Sequence, residues 1–254
     1  MDIAVLGGGS WGITLSRLLD EAGHRVRLWE LYPEVIDELK TRREHSKVLP
    51  GIKVPERVII TGEEKEAVEG ATHILLCVPS HGVRDTLIKI SPHIGNDAVV
   101  ISGAKGIETD TLMRMSEVIE NVLGERVKVG ALSGPSHAEE VSRRMPTTVV
   151  ASSKDIDVAE EIQRIFMLDY FRVYTNTDIT GVELGGALKN IIAIAAGGVD
   201  GMGFGDNTKG ALLTRIEMPI TEEVYKALYE DKEPRKVIYD LMTRKAKSEM
   251  EYEV

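Results

Sequence analysis

Close to its N-terminus the chain reads Gly7-Gly8-Gly9-Ser10-Trp11-Gly12, three glycines at GxGxxG spacing directly after the apolar run Ile3–Leu6. In such a turn Gly7 allows the sharp reversal, Gly9 lets backbone approach a pyrophosphate, and Gly12 lets the following helix close on the strand. Ser10 and Trp11 open that helix, where free N–H groups and the helix dipole favour a phosphate. A strand before and a helix after are what separate this pattern from an ordinary glycine-rich turn. Glu30 follows the next apolar run, Val26–Trp29, 18 residues past Gly12. A carboxylate there accepts hydrogen bonds from an adenosine ribose and repels a 2′-phosphate. The expected cofactor is therefore NAD or NADP, with NAD favoured.

Three further turns carry polar groups. Cys77-Val78-Pro79-Ser80 ends an apolar strand, which would bring Pro79 to the cofactor crevice. Lys105, in Gly103-Ala104-Lys105-Gly106, stands just past the run Val99–Ile101, where an ammonium reaches an anion. Ser133-Gly134-Pro135-Ser136 offers N–H groups and hydroxyls, with His137 as a local hydrogen-bonding residue and Ala138 next in line. Lys189 sits in Gly185-Gly186-Ala187-Leu188-Lys189-Asn190-Ile191-Ile192, inside an otherwise apolar helix. Burial lowers a lysine's pKa toward the operating pH, so Lys189 is the candidate for proton exchange with substrate. The alternative is snorkelling, with the stem buried and the ammonium in water. Asn190 is placed to hold a carbonyl or hydroxyl beside it. The six histidines follow no metal-ligand spacing, and no metal is expected.

The elements that must position these residues are legible as eight short apolar runs: Ile3–Leu6, Val26–Trp29, Val58–Ile60, Ile74–Val78, Val99–Ile101, Val127–Leu132, Thr147–Ala151 and Phe171–Tyr174. Several are continuous instead of alternating, as in strands buried on both faces. Helical segments such as Trp11–Ala22, Pro33–Thr41 and Asp155–Leu168 lie between them. The alternation predicts an α/β, Rossmann-type, doubly wound and mostly parallel sheet. After residue 178 strand punctuation stops. Gly181–Val199 is apolar nearly all round, which is the pattern of a helix inside a core. Two more helices are expected at 221–231, capped by Thr221, and from Pro234. The expected division is a nucleotide-binding domain over 1–179 and a smaller all-helical substrate domain over 180–254.

With 254 residues, 43% of them hydrophobic, the chain has material for a sizeable core. A net charge of −10 argues against non-specific binding of nucleic acid or anionic membranes. One cysteine, Cys77, excludes a disulfide framework. No leader peptide and no membrane span are expected, and the location expected is the cytoplasm. The apolar Gly181–Val199 helix also points to a homo-oligomer, because a soluble monomer pays for leaving such a surface wet.

The motifs GGGSWG (7–12), VPSHGVR (78–84), KGIE (105–108), LSGPSHAEEV (132–141), GVELGGALKNIIAIAAG (181–197), DNTKGALLTR (206–215) and MPITEEVY (218–225) occur in this order. In order and spacing the chain resembles the bacterial-type NAD(P)-dependent glycerol-3-phosphate dehydrogenases. The resemblance implies reduction of dihydroxyacetone phosphate to sn-glycerol 3-phosphate, a glycerolipid precursor. By position it makes Ser10, Trp11 and Ala138 cofactor contacts, and Lys105 a contact of both cofactor and substrate. Gly134 and Ser136 become substrate-site residues and Lys189 the proton donor and acceptor. Between Arg215 and Met218 the chain lacks a segment of several dozen residues that in the family carries GLAGLGDL, SRN and VEG motifs. The first supplies an active-site Asp. The second supplies an Arg and Asn for the substrate phosphate and cofactor, and the third a cofactor-contacting Glu. Two other readings stay open: a dinucleotide-binding protein without turnover, and a related Rossmann oxidoreductase acting on another small anionic substrate.

Overall fold

A computed structural model describes residues 1–205, 207–208, 232–233 and 236. The element order is β1 (Asp2–Leu6), α1 (Ser10–Glu21), β2 (Arg25–Trp29), α2 (Pro33–Arg42), β3 (Ile59–Thr61), α3 (Glu64–Val68), β4 (His73–Leu76), α4 (Val83–Ile90), β5 (Val99–Ser102) and α5 (Met115–Leu123). It continues β6 (Lys128–Ser133), α6 (Ala138–Ser142), β7 (Thr147–Ser152), α7 (Ile156–Phe166), β8 (Phe171–Asn176) and α8 (Ile179–Gly201). All eight expected strands are present. The fourth stops at Leu76, two residues short of the expected end, as the chain leaves the sheet toward Pro79. The helices expected at 221–231 and after Pro234 lie outside the described residues.

The strands form one sheet in the order β3-β2-β1-β4-β5-β6-β7-β8. The first six run parallel; β7 pairs antiparallel with β6, and β8 runs parallel to β7. The Rossmann-type doubly wound sheet is therefore mostly parallel. Its order reverses between β1 and β4, the seam at which such sheets open a crevice at their carboxyl ends. Alternate side chains of one strand feed opposite cores. Ile3 and Val5 join a cluster with Leu15, Leu18, Ile162 and Phe166, whereas Ala4 and Leu6 join Val83, Leu87, Val118 and Ile119. Helices on both faces explain why these strands read as unbroken apolar runs. The helices contribute stripes at helical spacing, such as Val158, Ile162, Ile165 and Phe166 on α7. The Asp155 carboxylate caps α7 by accepting from the Asp157 N–H at 2.9 Å.

The chain divides into two compact units, Met1–Ala187 and Leu188–Val254. The division falls inside α8, past the 179/180 boundary suggested by composition. The first turns of α8 belong with the sheet because buried Ile179 and Glu183 lie there. The Glu183 carboxylate accepts from Arg114 Nη1 at 2.8 Å, from the Ser116 N–H at 2.8 Å and from Ser116 Oγ at 2.5 Å. It thereby caps the start of α5. The expectation that Gly181–Val199 is buried is not met: α8 is largely exposed, with Ile192 at 42% and Ile194 at 50%. Among the described residues α8 is also the one helix long and apolar enough to cross a membrane, by length and composition. Its first turns are tied to the sheet unit through Glu183, and 188–201 alone falls short of the roughly 20 residues a crossing needs.

At the opposite, amino-terminal edge of the sheet, α7 is held by two imidazoles. His73 Nε2 lies 3.0 Å from Glu161 Oε1, and His24 Nε2 donates to the Ile165 carbonyl at 3.2 Å. Burial holds both histidines below the ordinary imidazole value, and for His73 it outweighs the nearby Glu161 carboxylate. The fold thus favours their neutral forms, while the unfolded chain takes up protons below about pH 6.5. Stability contributed by this cluster is present above that pH and is lost as the pH falls through it. The urea midpoint should drop between pH 7.5 and 5.5, and a His24→Gln/His73→Gln variant should show a flatter dependence over the same interval.

Candidate functional site

The carboxyl edge of the parallel strands gathers the first-unit residues singled out by sequence. Gly7 leaves β1 at φ +114°, and a Cβ there would lie 2.9 Å from the Cys77 carbonyl carbon. A Cβ on Gly12 would lie 1.8 Å from the Gly7 carbonyl oxygen, so α1 and its preceding turn touch backbone to backbone. Gly9, by contrast, faces open space, with nothing within 4 Å of a built Cβ. Two tight glycines around an open one leave room for a diphosphate at the start of α1. The first N–H groups of α1 have no carbonyl one turn back and are available to it. The Trp11 indole Nε1 is buried without a hydrogen-bond partner among the described residues, close to where Gly103 leaves β5. These features fit a dinucleotide.

Glu30 is buried at the end of β2 and accepts three backbone N–H groups: Gly8 at 2.7 Å, Leu31 at 2.7 Å and Tyr32 at 3.1 Å. Pairing of Leu6 with Trp29 places it beside the glycine turn. A carboxylate has about four lone-pair sites, so about one stays open for a ribose hydroxyl. The same three bonds prevent it from swinging away from a 2′-phosphate. Gly8, the unassigned middle residue of the motif, is pinned from its other side by His45 Nδ1, 3.2 Å from its carbonyl oxygen. Nothing in the spacing of His45 signals that contact; it depends on how the loop after α2 returns.

The next turns lie along the same edge. Pro79 is exposed and opens the short turn Ser80–Gly82. Lys105 Nζ donates to the Gly134 carbonyl at 3.0 Å and to Ser136 Oγ at 3.4 Å, joining the turns after β5 and β6. Gly134 also passes β7 closely, since a Cβ there would meet Val149 Cα at 2.9 Å. Ala138 starts α6 and its carbonyl accepts from Thr14 Oγ1 of α1 at 3.2 Å. His137 pairs locally with Glu139 at 2.5 Å. Burial pushes the Cys77 thiol up, away from the thiolate form. In the second unit Lys189 Nζ donates to Asn190 Oδ1 at 2.7 Å, and both residues are exposed. The burial expected around Lys189 is therefore not found. No group of three or more His, Cys, Asp or Glu suited to a metal occurs among the described residues.

Residues 2–159 match the sequence profile of the NAD-dependent glycerol-3-phosphate dehydrogenase N-terminus, and 178–216 match that of the C-terminus. The chain belongs to this family. A glycerol-3-phosphate dehydrogenase [NAD(P)+] from Bacillus velezensis is 49% identical over 215 residues, 84% of this chain and 62% of its own length. A relative of the same description from Citrifermentans bemidjiense is 50% identical over 84% of this chain and 64% of its own length. The chain thus spans less than two thirds of these family members. A crystal structure of the glycerol-3-phosphate dehydrogenase of Coxiella burnetii superposes with a TM-score of 0.87 at 28% identity, covering 96% of this chain and 99% of that one.

Within the family frame, Glu30 generates a direct expectation. NADH should bind at least about tenfold more tightly than NADPH at fixed salt, since an unpaired carboxylate beside a phosphate costs a kcal/mol or more. Replacing it, as Glu30→Ser, should narrow that ratio in a fluorescence titration; equal affinities in the parent chain would contradict the assignment.

Proposed function

We propose that the chain interconverts dihydroxyacetone phosphate and sn-glycerol 3-phosphate with NAD(H), in the cytoplasm. The observation that carries this reading is the Lys105 ammonium seated on the Ser133–Ser136 turn, along the sheet edge that also bears the glycine turn and Glu30. A cation beside hydroxyl and N–H donors suits a small phosphate ester. The glycine turn, Ser10, Trp11, Pro79, Lys105 and Ala138 would hold the dinucleotide, and Glu30 its adenosine ribose. When bound, the nicotinamide supplies or accepts the hydride. Lys105, Gly134 and Ser136 would orient the substrate and offset its phosphate charge.

Lys189 would polarise the ketone as an ammonium and give its proton to the developing alkoxide; in the reverse direction its amine takes the hydroxyl proton. Asn190, already bonded to Lys189 Nζ, would keep that group oriented. The family segment absent between Arg215 and Met218 normally supplies an arginine fork to the phosphate, and a single lysine does not reproduce a fork. Turnover should therefore lie more than tenfold below that of a full-length relative. The exposed Ile192 and Ile194 of α8 support a homo-oligomer in which this face is covered.

NADH oxidation with dihydroxyacetone phosphate tests the activity. Lys189→Ala should abolish turnover and leave the NADH dissociation constant within about twofold, because that residue serves substrate chemistry and not dinucleotide binding. Retained kcat in that variant would return Lys189 to an exposed helix lysine. Light scattering at micromolar concentration should give at least twice the monomer mass, and a monomer would exclude the oligomer.

A further inference from the structure

Two charged residues that end family motifs have no role in the reading above: Arg84 closes VPSHGVR and Glu108 closes KGIE. The structure joins them. Arg84 Nε donates to Glu108 Oε1 and Nη2 to Glu108 Oε2, both at 2.8 Å, a bidentate fork. Arg84 Nη1 also donates to Asn121 Oδ1 of α5 at 2.7 Å, and Thr111 Oγ1 donates to Glu108. The side chains are 27% and 11% exposed, so the pair is partly withdrawn from water. Its carboxyl is held below the usual range, first by Arg84 and then by Thr111.

The consequence falls on Lys105, three residues before Glu108. The loop between β5 and α5 folds back on itself, with Ile107 bridged to Arg114 and the Glu108 N–H donating to the Met113 carbonyl at 2.9 Å. Gly106 sits at φ +138°, and a Cβ there would lie 2.7 Å from Ser80 Oγ, so the loop leans on the turn after β4. A lysine has a long flexible stem and loses entropy when its ammonium is fixed. If its backbone were also free, the Gly134 and Ser136 contacts would be poorly populated. We propose that the Arg84–Glu108 fork is a positioning pair that locks the 103–114 loop and aims the Lys105 ammonium at the phosphate-bearing ligand. Neither member touches that ligand; both act through Lys105. The inference rests on the reading of Lys105 as a ligand contact.

The test is a double-mutant cycle in the full chain with NADH as probe. Glu108→Gln keeps volume and one acceptor, and Arg84→Lys keeps charge but cannot fork; unchanged circular dichroism establishes that each folds. Each should weaken NADH binding about five- to tenfold, as should Lys105→Met, and amide exchange in 103–112 should quicken about tenfold while β1 and β4 keep their protection. Glu108→Gln/Lys105→Met should bind no more than about twofold worse than Lys105→Met, since the lock has nothing left to aim. Multiplicative losses in the double variant, or parental affinity and exchange in both single variants, would overturn the proposal. If the parent itself fails to bind NADH, the cofactor reading falls. The exchange arm then decides: faster exchange confined to 103–112 supports the lock, and unchanged exchange overturns it.

Discussion

The backbone contact between Gly12 and the Gly7 carbonyl is the constraint on which the nucleotide edge depends. With 1.8 Å between a built Cβ and that oxygen, no side chain of any size is compatible with α1 lying this close to β1. That closeness aims the start of α1 at the crevice, and the parallel pairing of β1 with β2 and β4 then brings Glu30 and the Cys77 turn to either side. The glycine turn also carries the Gly8 N–H that donates to the Glu30 carboxylate at 2.7 Å. One steric fact thus controls the approach of the helix N-terminus and the geometry of the glycine turn together.

Charge at this edge is organised pairwise, although the chain as a whole carries −10. Glu30 is neutralised by backbone dipoles, Glu108 by an arginine fork, and Lys105 leans on a carbonyl and a hydroxyl. Partly buried ion pairs add little net stability once desolvation is counted, but they fix geometry. Fixed geometry matters wherever side chains position ligands, because small displacements of positioning groups cost large factors in rate. Local cation placement, not overall charge, is what makes an acidic protein a candidate for anionic ligands.

Helix α8 follows a different logic. Its Glu183 caps α5 and anchors the first turns, after which the apolar sequence runs out along an exposed surface. Curated family members have more than a third of their own length outside the match to this chain. The apolar composition of α8 is thus not matched by burial among the described residues.

The sequence by itself determined the strand set, the sheet class and the glycine turn, because apolar continuity and GxGxxG spacing are local signals imposed by burial on two faces and by backbone contact. Glu30 was legible for the same reason, as a strand-end acid at a set distance. Tertiary structure decided what no spacing encodes. Arg84 meets Glu108 across 24 residues, His45 reaches the Gly8 carbonyl across 37, and Glu183 reaches Ser116 across 67. Each contact depends on how two loops or a helix and a loop return to one place, which hydrophobic periodicity does not specify. The exposure of Lys189 and of the α8 surface was likewise a tertiary outcome: apolar composition states a need for burial, and only the packed chain shows whether a partner surface is there to meet it.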